Sequence, residues 1–320
     1  MNATDHHEPV MLQEVVSLLR PRSGGIYCDG TAGRGGHAEA LLEASGPDGK
    51  LVAVDRDPAA VGAVRRRLDR FGTRAVVVHS CFSALSHVAS ELGLGRFDGL
   101  LVDLGVSLPQ LKDASRGMSF QLEGPVDMRM DPTSGETASE VIDRLSEEEL
   151  SLRLRELGEE RRARAVARAI KDARRRGELE TTSDLARVVR RAVGSRRAGK
   201  VDAATRTFQA LRIVVNDELG ELEALLDELP DLLASGGRAA FISFHSLEDR
   251  AVKHGLRRWS TCRCAPRTVR CTCGGPLLRV VTRKPVRPQP AEVDANPRAR
   301  SAKLRAAERL GVVGEEASCA

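Results

Sequence analysis

The stretch CDGTAGRGGH, Cys28 to His37, decides the reading of the fold. Four glycines fall within the eight positions from Gly30 to His37, directly behind the apolar run Gly25–Cys28. Glycine accepts positive φ and carries no Cβ, so a glycine-dense turn between strand and helix lets backbone approach a nucleotide-like ligand closely. Behind the turn, GHAEALLEASG sets Ala38, Leu41 and Leu42 on one helical face before a glycine stop, and Leu51–Val54 follows as the next apolar run. The expectation is a βαβ unit with its glycine loop at the first strand–helix junction. Gly33, Gly35 and Ala38 also satisfy the spacing of a dinucleotide fingerprint, so the loop alone leaves the ligand open.

Further short runs rich in Val, Ile and Leu lie at Ala75–His79, Gly99–Val102, Arg238–Phe244 and Leu277–Thr282. Runs apolar on both faces and separated by helix-length spacers predict a parallel sheet. The alternation stops between residues 112 and 205, where amphipathic helical segments take over. SEEELSLRLREL begins with a capping box from Ser146 to Glu149, and TTSDLARVVRRAV turns Leu185, Val188 and Val189 inward. The expected architecture is therefore an α/β domain formed by 1–111 and 206–320, with an all-helical subdomain of 112–205 inserted into it. The tail NPRARSAKLRAAERL reads as a basic helix, and TRTFQALRIVVNDEL as a core helix with Phe208, Leu211, Val215 and Leu219 at helical spacing.

The 320 residues suffice for a sizeable core, and no uninterrupted apolar run approaches the roughly 20 residues a membrane helix needs. The polar N-terminal stretch has neither the basic nor the apolar region of a signal peptide, so a cytoplasmic location is expected. Net charge is +5, yet residues 150–200 alone hold 16 Lys and Arg against 7 Asp and Glu, a surplus of nine. Such concentration suits a polyanion-facing surface; a solvated helical face is the blander alternative.

Asp55, in VAVDRDP, closes the second run 19 residues after Gly36, where a carboxylate can accept hydrogen bonds from ribose hydroxyls. Asp29 enters the glycine loop itself. An acid there would repel a pyrophosphate but tolerates the ammonium and sulfonium of S-adenosylmethionine, which shifts the balance from hydride to methyl transfer. Asp103, in FDGLLVDLGVSLPQL, ends the fourth run and should stand beside Asp29 and Asp55, either accepting a proton from an amine undergoing methylation or holding the methionine end of the cofactor. No His–acid set suited to a nicotinamide-dependent dehydrogenase appears, and the full acid set argues against a non-catalytic RNA-binding protein.

With these residues in place, the chain resembles the bacterial small-subunit rRNA cytosine-N4 methyltransferases of the MraW type. The matching strings include HHEPVMLQEVV, DGTAGRGGH, VAVDRDP, DLGVSLPQL, RGMSF, GPVDMRMD, ATRTFQALRIVVNDEL, GGRAAFISFHSLEDR and NPRARSAKLR, from His6 to Arg305. The resemblance implies a Rossmann-like S-adenosylmethionine-dependent methyltransferase fold whose inserted subdomain binds substrate. The implied reaction methylates the exocyclic N4 of a cytidine in the decoding region of 16S rRNA within the small ribosomal subunit; no DNA or membrane partner is expected. It carries cofactor contacts onto Gly35, Gly36, His37, Asp55, Phe82, Asp103 and Gln110. Departures from the family pattern fall at Ser107-Leu108, Met118 and Asp202-Ala203, none of them a cofactor contact.

Three features stay open at this level. His245, in ISFHSLEDR, is either a turn residue or a substrate contact, beside an expected capping box of Ser246 and Asp249. Arg206, Arg212 and Asn216 are candidate RNA or active-site contacts. Cys262, Cys264, Cys271 and Cys273 offer four thiols, but C-x-C pairs are tighter than usual zinc spacing, and no metal is assigned.

Overall fold

The computed structural model describes residues 9–194, 202–262, 264 and 275–311. The chain forms two compact units, Met1–Gly105 with Gly220–Ala320, and Val106–Leu219. The first unit begins with α1 (Leu12–Leu19), β1 (Ile26–Asp29), α2 (Gly36–Ala44), β2 (Lys50–Asp55), α3 (Pro58–Leu68), β3 (Ala75–His79), α4 (Leu85–Glu91) and β4 (Phe97–Asp103). The second holds α5 (Leu108–Lys112), α6 (Ala138–Arg144), α7 (Glu147–Gly158), α8 (Ala163–Arg175), α9 (Thr182–Val193) and α10 (Ala204–Asn216). The chain returns to the first through α11 (Glu218–Leu232), followed by β5 (Leu233–Ser243), α12 (Ser246–Trp259), β6 (Leu278–Val280), α13 (Pro290–Ala295) and β7 (Lys303–Arg309).

Strand order in the sheet is β3-β2-β1-β4-β5-β7-β6. The first five strands pair parallel, whereas β7 is antiparallel to both β5 and β6. Side chains alternate along each strand, and both faces are covered. Cys28, Val52, Val54, Leu100 and Val102 pack with Leu85 and Val88 of α4, Leu222 and Leu225 of α11, and Val252 and Leu256 of α12. Tyr27, Leu51, Ala53 and Leu101 face the other way, onto Val15 and Leu19 of α1, Ala38 and Leu41 of α2, and Val64 and Leu68 of α3. The order reverses between β1 and β4, which is where open α/β sheets leave a crevice at their carboxyl ends.

β7 corrects the expectation of a basic helix in the tail. Leu304 and Ala307 are fully buried, one in the cluster on each face of the sheet. Alanine and arginine are among the best helix formers, but propensity differences are under about 1 kcal/mol per residue, and two flanking strands that need a partner outweigh them. Asp249 accepts from Lys303 Nζ at 3.0 Å and from Arg305 Nε at 2.7 Å, which anchors the strand by its charged side chains.

In the second unit, Thr137, Ser146 and Thr181 cap α6, α7 and α9 through capping boxes, as Ser-x-x-Glu chemistry predicts. Leu185, Val188 and Val189 enter the unit's core together with Val141, Leu150, Leu154, Val166 and Ile170. Two expectations fail here. A domain boundary at 205/206 would cut α10, whose Phe208 and Leu211 belong to this same core, so the unit runs on to Leu219. The helix ends instead at Asp217, whose φ of 47° breaks the α-helical course. Residues 117–136 contain no helix. Met128 and Met130 of this irregular segment are held by buried Asn216, whose Nδ2 donates to the Met128 carbonyl at 2.8 Å and whose Oδ1 accepts from Met130 N–H at 2.7 Å.

Candidate active site

The carboxyl ends of β1, β2 and β4 deliver Asp29, Asp55 and Asp103, and the glycine loop is tied to all three strands. Gly30 N–H donates to the Leu101 carbonyl at 2.9 Å and Ala32 N–H to the Val54 carbonyl at 2.9 Å. Gly33 N–H donates to Asp55 Oδ2 at 2.7 Å, and Asp103 N–H donates to Thr31 Oγ1 at 2.6 Å. The loop is thus stretched across the crevice between β1 and β4 and fixed on both sides.

Glycine is required for specific reasons. Gly33 and Gly35 hold φ of 52° and 80°, a region that side-chain-bearing residues enter at a cost. A Cβ on Gly36 would lie 2.3 Å from Pro9 Cγ, and one on Gly30 would lie 3.2 Å from Phe82 Cβ. Phe82, in a single 3₁₀ turn after β3, therefore stands against the base of the loop.

His37 lies in the first turn of α2 and is buried, and neither ring nitrogen has a hydrogen-bond partner. Burial lowers its pKa to about 4, so the ring is neutral at physiological pH. Its Nε2 is 3.8 Å from Asp103 Oδ2, and Asp103 Oδ1 is itself buried without a partner. Asp29 Oδ1 accepts from Thr31 N–H at 3.2 Å, whereas Oδ2 has none. Burial, assisted by the charge of Asp55, lifts Asp29 to about 7. Asp103 is pushed well above the carboxylate range by burial and by the charges of Asp29 and Glu248. Asp55 is raised by burial as well, but Gly33 N–H and Asp57 N–H each bond one of its oxygens, leaving lone pairs for two further donors.

A buried acid, a half-buried one and a neutral imidazole, each with unmatched polar atoms, make a site that a cationic, donor-bearing ligand satisfies. An anionic ligand would add charge of the wrong sign to it. Residues 4–310 match the MraW methylase family. The chain belongs to that family. Over 306 residues this MraW-family chain is 50% identical to the ribosomal RNA small subunit methyltransferase H of Thermomicrobium roseum, covering 95% of this chain and 94% of that one. Over 311 residues it is 50% identical to the protein of the same name from Geobacter sulfurreducens, covering 96% and 100%. As a MraW methylase it takes its methyl group from S-adenosylmethionine.

Of the residues singled out from sequence, Gly35, Gly36, His37, Asp55, Phe82 and Asp103 lie in the first unit, around the loop and the strand ends. Gln110, expected in the 1–111 segment of the α/β domain, lies instead in the second unit, because the chain crosses into that unit at Val106 rather than after residue 111. There its Oε1 accepts from Ser107 N–H at 2.9 Å as part of a capping box on α5. Asn216 is the internal pin described above, and Arg212 pairs with Glu218 at 2.7 Å.

His245 is the N-cap of α12, so the capping box is His245 with Glu248 rather than Ser246 with Asp249. Buried Glu248 accepts from Phe244 N–H at 2.8 Å and from His245 N–H at 3.2 Å, while its Oε1 lies 3.0 Å from His245 Nε2. Thr31 and Glu248 are the residues sequence reasoning missed. A threonine in a turn and a glutamate in a helix's first turn carry no signal of a partner so far away in sequence. The zinc question depends on Cys271 and Cys273, which lie outside the described residues.

Proposed function

We propose that this MraW-family chain methylates the exocyclic N4 amine of a cytidine in the decoding region of 16S rRNA, acting on the small ribosomal subunit in the cytoplasm. The observation that carries the reading is buried Asp29 and half-buried Asp103, each within reach of the other's charge beside the glycine loop, joined to half-identity with rRNA small subunit methyltransferases H across nearly the whole chain.

S-adenosylmethionine supplies a methyl group activated by its sulfonium. Gly35, Gly36 and His37 would line its seat, Asp55 would accept from the ribose hydroxyls and Phe82 would pack against the adenine; Gln110 is assigned to the same cofactor. Asp29 is returned to its carboxylate form when a cation binds beside it, because opposite charge favours ionisation as strongly as burial opposes it. Asp103, its carboxylate form favoured by the sulfonium cation beside it, would accept a hydrogen bond from the cytosine amine, which localises a lone pair otherwise drawn into the ring, and would take the proton released as the N–C bond forms, the methyl–sulfur bond breaks and S-adenosylhomocysteine leaves. The target base must be unstacked for this contact. With 9 aromatic residues in 320, an extended stacking platform is excluded, and affinity for RNA falls to Arg and Lys. The inserted helical unit is the substrate-binding part of this scheme.

The test is mass mapping of methylated nucleosides after incubation of unmethylated small ribosomal subunits with the protein and S-adenosylmethionine. N4-methylcytidine in the decoding region is expected; methylation of protein, of DNA or of another RNA atom overturns the reading.

A further inference from the structure

Ion pairing occupies many arginines of the unit Val106–Leu219. Arg144 pairs with Glu136, Arg174 with Asp143, Arg176 with Glu178, Arg187 with Asp184 and Arg190 with Asp202. Arg161, Arg164 and Arg168 differ: all three are exposed and none makes an ion pair within 4 Å among the described residues, although the charge of Asp172, four residues on, reaches Arg168. They surround the first half of α8, which buries Ala163, Val166, Ala167 and Ile170. At 100° and 1.5 Å per residue, Arg164 and Arg168 lie about 40° apart on the side opposite the buried stripe and about 6 Å apart along the axis, with Arg161 in the turn just before the N-cap Arg162. Exposed Arg153 and Arg155, by contrast, share α7 with Glu147, Glu148, Glu149 and Glu156.

This row is unfavourable for the helix by itself. Arginines three and four residues apart repel one another, and the first turn of α8, where the helix dipole is positive, holds no acid. Asp172 offsets Arg168 only in part, since it also pairs with Arg175, so the row keeps a surplus of positive charge that a polyanion would balance. Beside them stand Ala165 and Ala169, too small to obstruct a guanidinium and too small to anchor a protein interface, which relies on large apolar and aromatic side chains.

We propose that this face of α8 meets the phosphate backbone of the RNA substrate, with Arg161, Arg164 and Arg168 as the contacts. The assignment rests on the reading of the chain as an rRNA methyltransferase. Guanidinium groups bind phosphate oxygens in pairs of parallel hydrogen bonds, and a row along a helix follows a strand without reading its bases.

The test is a triple variant, R161Q/R164Q/R168Q, compared with R66Q/R257Q/R283Q, which removes equal charge from exposed positions of the first unit. Fluorescence anisotropy with labelled single-stranded RNA over a KCl series should show a salt slope lower by about 2 in the α8 variant, given roughly 0.7 per phosphate contact on a single strand. The KM for unmethylated small subunits should rise about tenfold or more at near-physiological salt, with kcat and calorimetric S-adenosylmethionine affinity unchanged, as expected for loss of phosphate contacts. Equal behaviour of the two triple variants overturns the proposal. A raised KM for subunits with unaltered oligonucleotide binding also overturns it, since the partner would then be a ribosomal protein. Failure of the unaltered chain to methylate subunits would defeat the functional reading instead, and the anisotropy comparison would still decide whether this face binds RNA.

Discussion

The hydroxyl of Thr31, in the glycine loop, accepts a 2.6 Å hydrogen bond from the backbone N–H of Asp103 at the end of β4. Residues 72 positions apart are thereby held together across the crevice where the strand order reverses. Thr31→Val keeps the shape and removes the acceptor. Leaving that N–H unmatched should lower unfolding stability by about 1–3 kcal/mol in a denaturant titration and weaken S-adenosylmethionine binding. Thr31→Ser should retain most of both. If Thr31→Val matched the parent in both measurements, the bond would not position Asp103.

Asp29 makes cofactor affinity depend on pH. In the free protein its pKa stands at about 7, and a cation beside it favours the carboxylate. Below pH 7 binding must therefore expel a proton, so affinity should fall by up to about tenfold per pH unit from 7 to 5 and level off above 8. Asp29→Asn should bind more weakly at pH 8 and lose the dependence. Calorimetry in buffers of different ionisation enthalpy reads the released proton directly; a pH-independent profile would count against Asp29 as the cation's neighbour.

The same acid affects stability without cofactor. Its folded pKa lies above the unfolded value, so its contribution is fully present below the unfolded pKa of about 3.8 and is lost as pH rises through about 7. His37 acts in the opposite sense. Its folded pKa of about 4 lies below the unfolded 6.5, so its contribution is present above 6.5 and is lost as pH falls toward 4. Asp29→Asn should thus stabilise the free protein most at pH 8, and His37→Gln most at pH 4–5. Thermal melts of each variant against the parent across pH 4–8 check both signs.

Asp103→Asn separates two roles. If Asp103 takes the proton from the amine, the variant should keep S-adenosylmethionine affinity while kcat drops about 10²–10⁴-fold, the usual contribution of a positioned base. Loss of affinity as well would assign Asp103 to cofactor holding.

Gly36→Ala tests the packing beneath the loop. Its Cβ would lie 2.3 Å from Pro9 Cγ, so the segment before α1 must move. Weaker cofactor binding and a lowered melting temperature are expected, while Gly72→Ala, strained at φ 55° but with nothing within 4 Å, should affect stability alone.

Several elements were legible from residue order. The glycine loop behind Gly25–Cys28, the alternating apolar runs, the Ser146 cap and the acids at the strand ends each follow from short-range periodicity or local hydrogen bonding. β7 was not legible, because its Lys303–Arg309 composition favours helix and only the gap between β5 and β6 makes it a strand. The unit boundary at Leu219 was hidden for a similar reason: α10 has an apolar face, but nothing in it states which core that face joins. Asn216 looked like a candidate contact and proved to be an internal pin, since an amide's partners are chosen by whatever the fold brings near.

The sequence by itself determined the α/β class, the glycine turn and the identity of the acids, because those depend on residues within one or two turns of chain. Tertiary structure decided their chemistry. The raised pKa of Asp29 and of Asp103, the neutrality of His37 and the Thr31–Asp103 bond all arise from burial and from charges on separate strands. Desolvation and Coulomb energy depend on distance through space, which only the assembled sheet specifies.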